Sequence, residues 1–227
     1  KGVDNNYASG QNMVYRVEFA STSDDDQYQE LTATYVCANV DDDVAMVMAS
    51  AVQSGNVTAL RTTESGASFT VNVHLTSQPH SWVVIGVASS NEAEADVDRR
   101  ELNFTANNWM APGLQVTVFG VDDDFDDGDV HYNVVFSVLA ASAADATMYV
   151  PQASSTVVTK IEATNEDDDE TRLVVDWSTV IPVDESGTTK EVQVKLASQP
   201  YADVTLSVSS SDSSEVTIDG ASSATDV

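Results

Sequence analysis

The stretch Ala67–Leu75, ASFTVNVHL, decides the fold class because its side chains alternate between apolar and polar from Phe69 to Leu75. Alternate residues of an extended chain point to opposite sides, so this pattern predicts a strand with one buried and one solvated face. The same period of two recurs in LQVTVFG (114–120) and VHYNVVFSV (130–138). No segment shows a convincing helical period. The sequence therefore predicts an all-β chain.

An internal repeat of about 120 residues organises the chain. The segment from Glu64 to Pro79 returns as Glu185 to Pro200, with ESG and SQP at identical spacing. Two further pairs of segments match in the same way: GVDNNYASG (2–10) with GVDDDFDDG (120–128), and NVDDD (39–43) with NEDDD (165–169). A repeat of this length predicts tandem modules of one fold.

Cutting the sequence after each aspartate triplet gives one complete module at 44–169. The C-terminal half of a module precedes it at 1–43, and the N-terminal half of another follows at 170–227. We expect tandem immunoglobulin-like antiparallel β-sandwiches, in a window on a longer array. The alternative, in which 170–227 of one molecule completes 1–43 of a neighbour by strand exchange, is less favoured than plain truncation.

The charge balance excludes several partners. The chain has 37 Asp and Glu against 9 Lys and Arg, a formal net charge of −28. Nucleic acid and anionic membrane surfaces are bound by clustered Lys and Arg, so neither is an expected partner. No apolar run is long enough to predict a membrane span. Cations are the expected partners, and the single cysteine, Cys37, excludes an internal disulfide.

The acidic residues of the complete module fall at one end of the expected sandwich. Seven strands, A to G, are expected at NVTALRT (56–62), ASFTVNVHL (67–75), SWVVIGVAS (81–89), VDRREL (97–102), LQVTVFGV (114–121), VHYNVVFSV (130–138) and STVVTKIEA (155–163). If they run up and down, A, C, E and G end at the same pole. The connections there carry Glu64, NEAEADVD (91–98), VDDDFDDGD (121–129) and EDDDE (166–170).

Carboxylates from several loops at one pole suit Ca²⁺, which takes six to eight oxygen ligands. Zinc would favour Cys or His, and the three histidines lie far apart in the sequence. An EF-hand is rejected, because registering Gly128 as its invariant glycine places Phe125 and Val134 at ligand positions. The pattern therefore predicts a Ca²⁺ site formed by several loops at this pole.

Three motifs resemble the Calx-beta repeat, an immunoglobulin-like Ca²⁺-binding module of sodium/calcium exchangers, integrins and large tandem-repeat extracellular proteins. They are TESG (63–66), DDDFDDGD (122–129) and NEDDDE (165–170). The resemblance implies Ca²⁺ ligands at Glu64, Asp122, Asp123, Asp127, Asp167, Asp168 and Asp169. The repeat adds their equivalents Asp41, Asp42 and Asp43, and further candidate ligands are Asp96, Asp124, Asp129 and Glu185.

No catalytic signature accompanies the acids. The sequence has no Gly-x-Ser-x-Gly motif, no Ser/His/Asp grouping in a sensible order and no phosphate-binding loop. Carboxylates crowded at a convex pole also lack the apolar pocket that an acid–base pair requires. We therefore do not expect an enzyme.

Two function classes fit these features. The first is a Ca²⁺-stiffened segment of an extracellular filament, appendage or adhesin, with neighbouring repeats and other cell-surface or filament proteins as partners. The second is a regulatory Ca²⁺ sensor of a membrane transporter or receptor. Glycosylation sequons at Asn56 and Asn103 favour the first, extracellular class. The junction NEDDDETRLVVDW (165–177) has no Gly, Pro or Ser spacer, which predicts that Ca²⁺ at 167–169 fixes the angle between modules.

Overall fold

The structure, a computed structural model, describes residues 1–52, 59–149, 157–176 and 180–218. The chain forms two compact units, one of Lys1–Asp123 with Asp127–Asp168, the other of Asp124–Asp126 with Asp169–Val227. Strands dominate the described residues, whose only helix is the four-residue α1. The all-β prediction is confirmed. Among these residues no helix has the length and apolar character needed to cross a membrane.

The first unit contains eleven strands and the short helix in the following order. They are β1 (Met13–Ala20), β2 (Thr32–Asn39), β3 (Val47–Val52), β4 (Leu60–Thr63), β5 (Ser68–Leu75), β6 (Trp82–Ser89), β7 (Ala95–Val97), β8 (Glu101–Thr105), β9 (Leu114–Gly120), β10 (Val130–Ala141), α1 (Ala146–Tyr149) and β11 (Val157–Glu166). β1 and β2 form a hairpin, while β3 to β11 form a two-sheet sandwich. The second unit contains β12 (Leu173–Val175) and β13 (Val194–Leu196), which pair with each other.

The sandwich consists of a five-stranded sheet in the order β4-β11-β10-β6-β8 and a four-stranded sheet in the order β3-β5-β9-β7. Its pairs are antiparallel, as expected, except that β4 runs parallel to β11. This parallel pair makes both strands end at one pole, where the amide of Glu64 donates a hydrogen bond to the carbonyl of Glu166 at 3.1 Å. The pairing thus places Glu64 beside the aspartate triplet.

Alternating side chains from both sheets fill the core. The largest fully buried side chains come from β5, β6, β8, β9 and β10. They are Val71, Val73, Leu75, Val83, Ile85, Leu102, Phe104, Val116, Val118, Tyr132, Val134 and Phe136. Burial of each such side chain contributes about 1.5–3 kcal/mol. Burial of these core side chains therefore provides the stability that offsets the repulsion between acidic residues at one pole of the sandwich.

The observed strands differ from the expected ones in two places. β3 was not expected, because its segment VMASAV carries small residues that weaken the alternation. Expected strand D is divided into β7 and β8, which belong to different sheets, so the intervening residues 98–100 cross between sheets. The first parts of expected strands A and G, residues 56–58 and 155–156, lie outside the described residues.

The hydrogen-bond register repeats along the chain together with the sequence. Met13 lies opposite Asn39 in the β1–β2 hairpin, and its equivalent Val130 lies opposite Asn165 in the β10–β11 pair. The same holds for β3 with β5 and for β12 with β13, where the equivalent partners are Val47↔Leu75 and Leu173↔Leu196. Equivalent residues of different repeats therefore make equivalent backbone pairs.

Candidate metal centre

The ends of four strands bring acidic residues together at one pole of the first unit. The contributing residues are Glu64 after β4, Glu94 before β7, Asp122 and Asp123 after β9, Asp127 in the same loop, and Asp167 and Asp168 after β11. The carbonyl of Glu94 accepts a 2.9 Å hydrogen bond from the amide of Val121, which ties the β6–β7 connection to the end of β9. The expected convergence of A, C, E and G is observed.

Glu64 lies at the bottom of this cluster and is only 5% exposed. One carboxylate oxygen from each of Glu64, Asp122 and Asp168 lies within 4.8 Å of the other two. The backbone amide of Asp168 donates to Oε2 of Glu64 at 3.3 Å. Among the described residues, no Arg, Lys or His side chain forms an ion pair with Glu64. Three carboxylate oxygens that could hold a metal ion thus lie close together.

The surroundings of Glu64 disfavour its charged form. Burial, reinforced by the negative charges of nearby acids, raises its pKa from 4.5 to about 7, although the hydrogen bond from Asp168 opposes this shift. The acids responsible are Asp167, Asp123 and Glu94. A carboxylate with so high a pKa is partly protonated at neutral pH unless a cation neutralises it.

Glu94 is a second buried acid of the cluster, 6% exposed. Burial raises its pKa, and a hydrogen bond from the side-chain amide of Asn165, 3.4 Å away, lowers it in part. Asp127, Asp123 and Asp167 raise it further. The sequence alone did not single out Glu94 from the other acids of residues 91–98, because their alternation does not reveal which of them turns inward.

Asn165 connects the cluster to the core. Its side-chain Nδ2 donates to the carbonyl of Val121 at 3.1 Å, and its Oδ1 accepts from the hydroxyl of Thr62 at 2.9 Å. Asn165 is 1% exposed, so each of these polar atoms is satisfied inside the protein. A Cβ atom at Gly120 would collide with Oδ1 of Asn165 and the backbone of Thr63, so the end of β9 requires glycine.

Asp167 holds the other end of the acidic loop. The amide of Gly128 donates to its Oδ2 at 2.6 Å, and Gly128 has a φ of 77°, which glycine adopts without strain. Because Asn165 holds Val121 and Asp167 holds Gly128, one strand end fixes both ends of the loop between β9 and β10. The carboxylates of Asp122 and Asp123 thereby stay near Glu64.

The N-terminal half-repeat contains the same arrangement. Nδ2 of Asn39 donates to the carbonyl of Val3 at 3.0 Å, and the amide of Gly10 donates to Oδ2 of Asp41 at 3.1 Å. Carboxylate oxygens of three residues lie within 4.8 Å of one another: Asp4, Asp42 and Asp43. Asp4 is the repeat equivalent of Asp122, and sequence reasoning did not select it although the matching GVD segments could have indicated it.

The pKa values of Asp41 and Asp43, two aspartates of the triplet in this half-repeat, shift in opposite directions. Hydrogen bonds from the hydroxyl and the amide of Ser9 lower the pKa of Asp41. The pKa of Asp43 is raised by burial, and then by the charges of Asp4, Asp41 and Asp42. Asp41 is therefore satisfied by the protein, whereas Asp43 lies among like charges.

Arginines already pair with two of the further candidate ligands. Oδ1 of Asp96 lies 2.8 Å from Nη2 of Arg100, and Oδ2 of Asp129 lies 3.5 Å from Nη1 of Arg61. Three other predicted ligands belong to the second unit: Asp124, Asp169 and Glu185. Glu185 is exposed there, unlike its buried repeat equivalent Glu64.

The two predicted glycosylation sites have different outcomes. Asn103 is exposed on β8, between the buried side chains of Leu102 and Phe104, as alternation predicts. Its carbonyl accepts a hydrogen bond from the side chain of Asn108 at 2.9 Å. Asn56 lies outside the described residues. The structure therefore leaves Asn103 accessible for modification.

Comparisons with known proteins do not assign a family. No protein-family model matches the sequence, and no curated protein matches it significantly. Two similar solved structures are of the S-layer protein SbsC. Its domains 4 and 5 align at 11% identity and a TM-score of 0.29, covering 60% of this chain and 58% of that one. A longer SbsC structure aligns at 10% identity and a TM-score of 0.33, covering 83% of this chain and 25% of that one.

At these TM-scores the alignments establish neither a shared fold nor a shared function. This chain also spans only part of the SbsC chains that it matches. The Calx-beta resemblance stays a prediction. The arrangement of residues at the acidic pole is therefore the main support for a function.

Proposed function

We propose that this chain is a Ca²⁺-binding tandem β-sandwich segment of an extracellular structural or adhesive protein, and that Ca²⁺ stiffens the joints between its repeats. The observation that carries the proposal is the buried carboxylate of Glu64, which faces Asp122 and Asp168 with all three ligand atoms within 4.8 Å. A buried carboxylate without a cationic partner is costly, and a divalent ion at this point would offset that cost.

The ligand chemistry favours Ca²⁺ over other metals. The side chains that face the centre offer carboxylate oxygens only, which are hard ligands. Ca²⁺ accepts six to eight of them in flexible geometry, whereas Zn²⁺ favours nitrogen and sulfur and Mg²⁺ requires near-ideal octahedral geometry. A loop fixed at both ends but free of regular structure between them suits the more flexible ion.

Repetition of the centre supports a structural function. Asp4 and Asp42 occupy the positions of Asp122 and Asp168, so the chain carries two acidic poles that share these two positions and differ in the third acid, Asp43 or Glu64. Each pole includes the aspartate triplet through which the chain passes from one repeat into the next. An ion bound there would restrict the direction in which the next repeat begins. Extracellular fluid, with its millimolar Ca²⁺, is the compartment in which sites of modest affinity are filled.

Calorimetric titration of the whole chain with Ca²⁺ tests the proposal. We expect saturable binding with dissociation constants of about 10⁻⁴–10⁻³ M. Glu64→Gln, which keeps the shape of the side chain and removes its charge, should weaken one class of sites by at least about tenfold, equivalent to 1.4 kcal/mol. Asp42→Asn should weaken the other class.

Asp24→Asn is the matched control, because Asp24 lies in the loop between β1 and β2, at the end of that hairpin opposite Asp41. It makes the same change in charge and should leave both classes of sites unchanged. A Glu64→Gln isotherm identical to that of the wild type would contradict the assignment of Glu64.

A further inference from the structure

The segments 2–10 and 120–128, which match in sequence, have middle residues whose contacts differ from those of their ends; we call these middle residues, 6–8 and 124–126, the tip segments. In the first unit the tip segment 6–8 contacts the SQP turn at 77–80. The carbonyl of Asn6 accepts a hydrogen bond from the amide of Gln78 at 2.6 Å, and the hydroxyl of Tyr7 accepts from Nε2 of Gln78 at 2.8 Å. The rings of Tyr7 and His80 lie with centroids 4.8 Å apart at 36°. Ala8 is 6% exposed.

The SQP turn is held in place from the other side. Oδ1 of Asp145 accepts from the amide of His80 at 2.7 Å, and Oδ2 accepts from the amide of Ser81 at 3.0 Å. Asp145 is 1% exposed. The hydroxyls of Ser77 and Tyr149 lie 2.8 Å apart. The turn is thus a preformed surface onto which the tip segment packs.

The second unit contains two of these contacts, the bond to a tip carbonyl and the ring pair, in different residues. The carbonyl of Asp124 accepts a hydrogen bond from the amide of Gln199, again at 2.6 Å. The ring of Phe125 stacks on that of Tyr201 with centroids 4.7 Å apart at 18°. Oδ2 of Asp126 accepts from the amide of Thr171 at 2.6 Å. Hydrogen bonds from the side chain and then the amide of Thr171 lower the pKa of Asp126.

The contacts join equivalent positions of the repeat. Tip segments 6–8 and 124–126 occupy the same place in the matching loops, and the turns 77–80 and 198–201 both consist of SQP followed by an aromatic ring. The ring contact is kept although the residues change, since Tyr7 packs against His80 in a tilted pair and Phe125 stacks on Tyr201. Because the contact occurs in both repeats with different aromatic residues, it is a recurring feature of the repeat and not a chance contact.

We infer that the tip segment of each repeat is a docking element whose partner is the SQP turn of the following repeat. It consists of one aromatic ring that stacks on the ring after SQP and one carbonyl that accepts from the glutamine amide. The contact uses no carboxylate of the candidate metal centre, so it forms with or without Ca²⁺.

The loop then has two functions that are divided along its length. Its ends hold the carboxylates over their own repeat, and its tip binds the next repeat. If the proposed function holds, on which this step rests, the two attachments act in series. Ca²⁺ fixes the loop to its own repeat, and docking fixes it to the next one, so a stiff joint requires both.

Amide hydrogen exchange of Gln78 and Gln199, measured by NMR on the whole chain, tests docking directly. Both amides donate to a tip carbonyl and should be protected from exchange. Tyr7→Ala should lose at least about tenfold of the protection at Gln78 and none at Gln199, and Phe125→Ala should do the reverse. Global unfolding would affect both amides together, so each variant controls for the other.

Two more variants separate the ring contact from other effects. Tyr7→Phe keeps the ring and should keep the protection at Gln78, because Phe125 docks without a hydroxyl. Tyr28→Ala, at an exposed tyrosine of the β1–β2 loop, should change neither amide. The inference would be overturned if either glutamine amide of the wild type exchanged at the unprotected rate. It would also be overturned if Tyr7→Ala left the protection at Gln78 undiminished.

Chelator distinguishes failure of this inference from failure of the proposed function. Protection of both glutamine amides should be the same in EGTA and in millimolar Ca²⁺. If EGTA removed it while calorimetry showed Ca²⁺ binding, docking would depend on the ion and the inference would be wrong. If protection persisted and calorimetry showed no binding, docking would stand and the metal assignment would fall.

Discussion

The amide of Gly128 donates a hydrogen bond to Oδ2 of Asp167 at 2.6 Å, so a residue beyond the end of β11 holds the exit of the β9–β10 loop. Two residues earlier, Asn165 holds the entry of that loop through the carbonyl of Val121. Alternate residues of an extended chain face the same side, so an Asn-x-Asp segment can reach both ends of a neighbouring loop. The segment recurs with the same bonds at Asn39 and Asp41.

The stability of the chain in chelator should depend on pH through Glu64. Its pKa is raised in the folded protein to about 7 from 4.5, so the folded state binds the proton more tightly between those values. Stability should therefore fall as the pH rises through this window, by up to about 3 kcal/mol. Urea unfolding in EGTA at about pH 5 and about pH 7.5 measures the change.

Glu64→Gln should remove most of that pH dependence, because it removes the titrating group. Glu94, whose pKa is also raised, should supply a remainder of the same sign. In millimolar Ca²⁺ the loss of stability at higher pH should be reduced, because the ion binds the deprotonated carboxylates. A wild-type stability in EGTA that rises from about pH 5 to about pH 7.5 would contradict this account of Glu64.

Asn165→Ala should destabilise the fold even without Ca²⁺. The substitution leaves the carbonyl of Val121 without its side-chain partner and removes one of two buried partners of the Thr62 hydroxyl, which keeps Tyr132, at a cost of about 1–3 kcal/mol. Asn72→Ala is the control, because Asn72 bonds Gln115 on the outer face of its sheet and should cost within about 0.5 kcal/mol. Equal urea midpoints for the two variants in EGTA would show that the loop attachment does not stabilise the fold.

Small-angle scattering should report a change in joint stiffness with Ca²⁺. We expect a narrow distribution of interatomic distances for the whole chain in Ca²⁺ and a broader one in chelator, where like charges repel and ligation is missing. Asp168→Ala should resemble the chelated protein, while Asp24→Ala should resemble the wild type. Distributions that do not change between the two conditions would restrict the ion to a local effect and remove the proposed stiffening.

Asn103 should carry a glycan when the protein is produced through a eukaryotic secretory pathway. Its side chain is exposed on β8, and the sequon Asn103-Phe104-Thr105 is intact. Intact mass before and after glycosidase treatment measures the modification, and Asn103→Gln is the control that should remove the mass change assigned to this site. An unmodified Asn103 in such material would weaken the extracellular assignment.

The alternation of single strands made most of the sandwich predictable from the sequence. β5, β9 and β10 each bury one face and expose the other, so their period was a reliable sign of their place. β3 was missed because its Ala and Ser residues reduce the contrast between its two faces. The parallel pairing of β4 with β11 could not be predicted, since it depends on which strand ends meet in the folded sheet.

The candidate site was predictable by region and less so by residue. Repeats and loop order placed the acids at one pole, but they did not distinguish Asp96, which an arginine four residues later neutralises, from Glu94, which is buried. They also did not reveal that 124–126 contact the SQP turn at 198–201, since carboxylate spacing indicated Asp124 only as a candidate ligand and said nothing of its backbone carbonyl. These distinctions arise from contacts between distant segments.

Anomalous diffraction from crystals of the whole chain grown in millimolar Ca²⁺ tests the central claim most directly. The account predicts a calcium peak within coordination distance of Glu64, Asp122 and Asp168, at about 2.3–2.6 Å from their oxygens. Crystals of Glu64→Gln should show a weaker peak or none at that position. The claim would be contradicted by a wild-type crystal in which the pole is open to solvent and no calcium peak lies beside Glu64.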